Sequence, residues 1–149
     1  MKKSPKKYTP EVREKRVAHT NPPYPTPTSK PSLEVLVKNF TYKDFKKILD
    51  KGPFTIGEWA DMLFISERTL HRYAKDNSSF NGLQIERILL LEQLIDTGNE
   101  LFGKEGFKTW LQSAPFSLDS DRVKDKLTTH NGIQDVIDLL GRIQHGIPA

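Results

Sequence analysis

Arg68, His71, Arg72 and Lys75 stand at i, i+3, i+4 and i+7 in the run Ser66-Glu67-Arg68-Thr69-Leu70-His71-Arg72-Tyr73-Ala74-Lys75. On a helix that spacing gathers the four side chains into one basic stripe, turned away from Leu70 and Tyr73. Such a stripe neutralises phosphates, and an arginine in it can read a base edge through two hydrogen bonds. Ser66, Glu67, Arg68 and Thr69 fill the first turn, where unpaired backbone amides add a phosphate-binding end. The candidate nucleic-acid residues are therefore Ser66, Arg68, Thr69, His71, Arg72 and Lys75.

Other chemistry is poorly provided for. His19, His71, His130 and His145 are scattered, and none has the spacing of a metal pair with another histidine or a carboxylate. With no cysteine, disulfide bonds and cysteine-bearing zinc sites are excluded. No glycine-rich phosphate loop, nucleophile elbow or paired-carboxylate arrangement occurs. Asp119 and Asp121 alone fall short of the six oxygens that calcium requires. The expectation is a binding protein, not an enzyme, with neither cofactor nor metal.

Charge divides the 149-residue chain. Residues 1–30 hold eight Lys/Arg against two Glu, whereas residues 32–98 and 99–149 each carry a net charge of −1. The overall +4 thus belongs to the first segment. That segment, residues 1–31, also holds seven of the ten prolines. Because proline fixes φ and removes a backbone donor, it reads as an extended basic arm: either a solubilising or loosely docked tail, or one that touches a DNA backbone or wraps a second protomer. No unbroken apolar run exceeds four residues, the length of Ile88–Leu91, so no membrane span is expected. The absence of a signal-peptide pattern and of cysteine fits the cytoplasm.

After Pro31 every periodic segment has helical spacing, and the fold class expected is all-α. Tyr42, Phe45, Ile48 and Leu49 line one helix, stopped by Gly52-Pro53. Thr55-Ile56-Gly57-Glu58 is a capping box that opens a short helix to about Leu63. Ser66 caps a second short helix through about Lys75. Ala60 is the small contact where these two helices cross, with Leu63, Ile65, Leu70 and Tyr73 locking the pair. A long helix follows from Leu83 to about Phe102, its apolar arc broad enough for burial between two layers. The 58–75 segment resembles the helix-turn-helix of Xre-type regulators, which fold in this way against operator DNA. It departs at Phe64, which stands where glycine is usual and where the turn requires positive φ.

The last fifty residues supply a second candidate surface. Phe102, Phe107, Trp110 and Leu111 make an aromatic helix face, and Phe116 and Leu118 are expected to pack a connecting segment. Ile133, Val136, Ile137, Leu140 and Ile143 line a final helix with Gly146 as its C′ residue. Phe102-Gly103, Trp110-Leu111, Gly132 and Arg142-Ile143 followed by Gly146 recur in this order in the Xre/MbcA/ParS family of toxin-binding antitoxins. The resemblance spans about residues 40–149 and departs at Ser117–Val123, where many relatives have glycine and proline.

That resemblance implies a helix-turn-helix domain over 32–98 and a helical toxin-binding domain over 99–149. It also implies a RES-domain toxin that degrades NAD as partner, with the antitoxin's end lying in the toxin's cleft. Carried over, the toxin-binding residues are Trp110, Arg142, His145, Gly146, Ile147, Pro148 and Ala149. Repression of the chain's own operon, homodimers and larger hetero-oligomers with the toxin follow from the same likeness. The alternatives are a helix-turn-helix regulator whose C-terminal half only dimerises it, and an interaction adaptor with a vestigial helix-turn-helix.

Overall fold

The computed structural model describes residues 39–147. The arm expected over 1–31, and Pro148 and Ala149, lie outside the described residues. Among the described residues the regular elements are helices, joined by turns and one isolated bridge between Thr41 and Ser79. None of these helices is long and apolar enough to cross a membrane.

Helix α1 (Tyr42–Lys51) starts at Thr41, whose backbone N–H donates to the Asp44 carboxylate at 3.1 Å. Helix α2 (Ile56–Met62) opens with the capping box read from sequence. The Glu58 amide donates to the Thr55 hydroxyl at 3.2 Å, and the Thr55 amide donates to Glu58 Oε2 at 2.9 Å. These bonds satisfy two of the amides that a helix start leaves without partners.

Helix α3 (Glu67–Asp76) is capped by Ser66, which accepts from the Thr69 amide at 3.1 Å. It ends on Asn77, left-handed at φ +47°. The Asn77 side-chain carbonyl accepts from the Lys43 amide at 3.0 Å and so ties the end of α3 to the start of α1.

Helix α4 (Gly82–Trp110) begins on an Asn81/Gln84 capping box and is interrupted at Gly103 (φ +70°, ψ +166°), one residue beyond the expected end at Phe102. That backbone conformation is open essentially to glycine alone. The break lets Phe107 return onto α4 and fill the space above Gly98, where a Cβ would overlap its ring. A 3-10 turn (Phe116–Leu118) and the short α5 (Val123–Lys126) lead to α6 (His130–Gln144), capped by Thr129. Gly132, in the first turn of α6, lies against the Lys126 carbonyl with no room for a Cβ.

Helix α4 carries the architecture: α1 packs on it and so does α6, as its broad apolar arc requires. Ile85, Ile88, Leu91, Leu94 and Ile95 are fully buried along it. From α6, Ile133, Val136, Ile137 and Leu140 join the core, together with Leu139. At the other end Trp59 is fully buried among Phe45 (ring centroids 5.0 Å apart, edge-on) and Phe54, and Phe45 meets Phe80 in turn. Aromatic contacts of this kind add about 0.5–1.5 kcal/mol each beyond the area they bury.

Candidate nucleic-acid and partner interfaces

The α2–α3 pair is held from inside by apolar contact and from outside by its turn. Ala60, Leu63 and Leu70 are buried, and Ile65 and Tyr73 partly so. The Ile65 amide donates to the Ala60 carbonyl at 3.1 Å and closes the turn. Phe64 takes the left-handed conformation, φ +56°. The residue stays 73% exposed, and the Arg87 guanidinium lies 4.8 Å from its ring centroid. The strain expected at this position is thus present, and burial of the ring does not offset it.

On the outer side of α3, Arg68, His71, Arg72 and Lys75 are all exposed, and Thr69 is half-buried. Together they border one concavity of about 430 Å³. None of the three permanent cations there makes an ion pair among the described residues. Their charge is therefore presented undiminished. Glu67, the acid within this run, is drawn aside: its Oε1 lies 2.5 Å from where a Cβ on Gly57 would stand, over the first turn of α2. Ser66 is occupied by its capping bond and by a 2.9 Å contact with the Thr69 hydroxyl.

The end of α6 is also built from local chemistry. Gly146 takes φ +69°, its amide donating to the Ile143 carbonyl (3.0 Å) while the Ile147 amide reaches back to Arg142 (2.9 Å). These are the two bonds of a Schellman stop, which satisfy carbonyls that a helix end leaves free. Arg142, His145 and Gly146 are exposed, and Ile147 is 53% exposed. Arg142 shares a polar cavity of about 220 Å³ with Ser117, Lys126, Asp135 and Asp138. Trp110 is not among its lining residues; it is half-buried and stacked on Phe102 and Phe107.

One expectation fails here. Leu118 is buried, but Phe116 is 91% exposed. In the 3-10 turn the two residues point apart, so only one of them can face the core. Two further groups were missed by sequence reasoning. The first is the groove of Phe64, Leu83 and Arg87, whose members are too far apart in the chain for any local pattern. The second is the ion pair of Lys124 with Glu58, which joins α5 to α2. Burial works to raise the Glu58 pKa, but the hydrogen bonds from Lys124 and Thr55 outweigh it and hold the carboxyl below its ordinary 4.5.

Over 85 residues the chain is 31% identical to a protein named Antitoxin Xre from Yersinia enterocolitica, a stretch that makes up 56% of this chain and 57% of that protein. The chain thus spans a little over half the length of the curated relative it matches. No family model matches the sequence. With the two exposed surfaces above, the comparison leaves a helical protein similar, over that stretch, to an Xre antitoxin.

Proposed function

We propose that the chain is an antitoxin of the Xre type. It binds and inhibits an NAD-degrading RES-domain toxin and represses its own operon. The observation that carries this reading is the 31% identity to a protein named Antitoxin Xre. In this reading α2, its turn and α3 are a helix-turn-helix, with Arg68, Thr69, His71, Arg72 and Lys75 set against operator DNA and Ser66 fixing the first turn. The unpaired cations of α3 support the assignment, because an uncompensated stripe is what a phosphate backbone attracts.

The toxin-binding surface is the end of α6 with the residues after it: Arg142, His145, Gly146 and Ile147, then Pro148 and Ala149. Trp110 lies on the same half of the chain. The Schellman stop supports this part of the reading. It ends the helix through backbone bonds, which leaves the Arg142, His145 and Ile147 side chains exposed to a partner. Exposed Phe116 and Ile147 suit a protein interface, whose buried centre is apolar and enriched in aromatic residues. The chain itself acts as a cytoplasmic binding protein without catalysis, and homodimers join toxin in larger assemblies.

The test is co-expression with a RES-domain toxin, followed by co-purification and measurement of cellular NAD. The full chain should preserve NAD. Deleting residues 147–149 should leave the melting temperature nearly unchanged and much of the binding intact, yet allow NAD to fall. If the shortened chain protects NAD as well as the full one, the segment after α6 is not the inhibitory element.

A further inference from the structure

Gly57 is a glycine that its own backbone does not call for. The positive-φ glycines among the described residues are Gly103 and Gly146, so the conformation at 57 is open to residues with a side chain. Gly57 stands in the first turn of α2, a seven-residue helix, where glycine is a poorer helix former than alanine. What the missing Cβ admits is one group. A Cβ there would lie 2.5 Å from Oε1 of Glu67 and 3.4 Å from its Cδ, while the next neighbour, the Thr55 hydroxyl at 3.9 Å, is at ordinary contact distance.

Two demands meet at Glu67. An acid at the start of α3 favours the helix, because the first turn carries the positive end of its dipole. The same helix presents Arg68, Arg72 and Lys75, and a carboxylate among them would repel phosphate or neutralise a cation. The arrangement answers both. Glu67 makes no ion pair among the described residues, and its carboxylate lies over α2, away from those cations. The Thr55–Glu58 capping box fixes the start of α2, and the bond from the Ile65 amide to the Ala60 carbonyl fixes the turn. The far end of the Glu67 side chain is thus the part that would yield to an added methyl group.

We propose that Gly57 is a positioning residue for DNA binding: the space over its Cα seats the Glu67 carboxylate and keeps it off the side of α3 that meets phosphate. The inference rests on the nucleic-acid reading above and adds to it a residue on the preceding helix that acts through the side chain of another. With a Cβ at 57 the carboxylate is released at the start of α3, where it repels the phosphates that Arg68, Arg72 and Lys75 attract.

The test compares the native chain, Gly57→Ala, Glu67→Gln and the double variant by fluorescence anisotropy on a labelled duplex from the promoter of the chain's own gene, at low and high salt. Gly57→Ala should weaken binding about three- to tenfold at low salt, and the gap should narrow as salt screens the displaced charge. Glutamine has the size of glutamate without its charge, so in the Glu67→Gln background Gly57→Ala should change affinity less than about twofold. Gly57→Ala should melt no lower than the native chain, because only a flexible side-chain end has to move and alanine favours the helix. Weaker binding is then not loss of the fold. An equal loss in both backgrounds would mean that the methyl group acts by forcing the helices apart, and would overturn the proposal. A Gly57→Ala chain that binds as tightly as the native one would overturn it too, with the nucleic-acid reading intact. A native chain that leaves the duplex unbound would remove that reading and the proposal together.

Discussion

Phe64 and Gly146 share a backbone conformation, φ +56° and +69°, and each leads out of a helix beside an exposed surface. At Gly146 the residue matches the conformation, and a Cβ would meet nothing within 4 Å. At Phe64 it does not match, and neighbouring bonds hold the turn in place. The contrast extends to the regions around them. The α1–α3 region is fastened by side chains: the Thr55 and Ser66 caps, the Asn77 bond to Lys43, and Trp59 among its aromatic neighbours. The region from Gly98 onward is fastened by missing side chains, at Gly98 under Phe107, at the Gly103 break and at Gly132 against the Lys126 carbonyl. The first region leans more on caps and aromatic contacts, the second more on positions with no room for a Cβ.

The largest effect should come from adding a single methyl group to the second region. Gly98→Ala places a Cβ inside the Phe107 ring and should destabilise the chain by roughly 2–3 kcal/mol in denaturant titrations. Combining it with Phe107→Leu should cost less than the sum of the two single changes, since the smaller side chain makes room. Strict additivity would mean that the close approach is not the cause. In the first region, Arg72→Ala removes an exposed side chain and should leave stability within about 0.5 kcal/mol. Operator binding should weaken by about 1–3 kcal/mol if Arg72 reads a base, or show a smaller salt slope if it holds a phosphate. Gel shifts at two salt concentrations that match the native chain would remove α3 as the reader.

The smallest effect tests the clasp between Glu58 and Lys124. A carboxylate whose folded pKa is depressed stabilises above its ordinary value and loses that contribution as pH falls through the folded one. Lys124→Met should therefore cost about 1 kcal/mol or less at neutral pH, with the gap to the native chain closing as pH falls below the carboxyl's ordinary 4.5. A gap that stays constant with pH would show that Lys124 acts through its packing alone.

What could be read from sequence was local. Thr55 with Glu58, Ser66 and Gly146 each mark a helix end through bonds to residues three to five positions away, and each stands where the pattern put it. The α3 stripe was equally legible, since helical spacing alone creates it. What escaped depends on distant partners. Trp59 belongs to no periodic set, yet it is fully buried because α1 and the Phe54 segment close over it. Phe116 looked like core because it is aromatic and near Leu118, but a three-residue 3-10 turn has too short a pattern to tell inside from outside. Leu139 is buried because α4 covers more of α6 than one helical stripe.

Helix α4 has a consequence for how such a chain changes over generations. Its apolar residues support α1 on one side and α6 on the other, so the α1–α3 region and the far end of α6 lean on the same short row of isoleucines and leucines. A substitution in that row is one event with two phenotypes. Variants that trade one surface against the other should therefore arise in the exposed residues of α3 or beyond Ile143, where drift is private to each surface, and seldom along α4, where it is held in common.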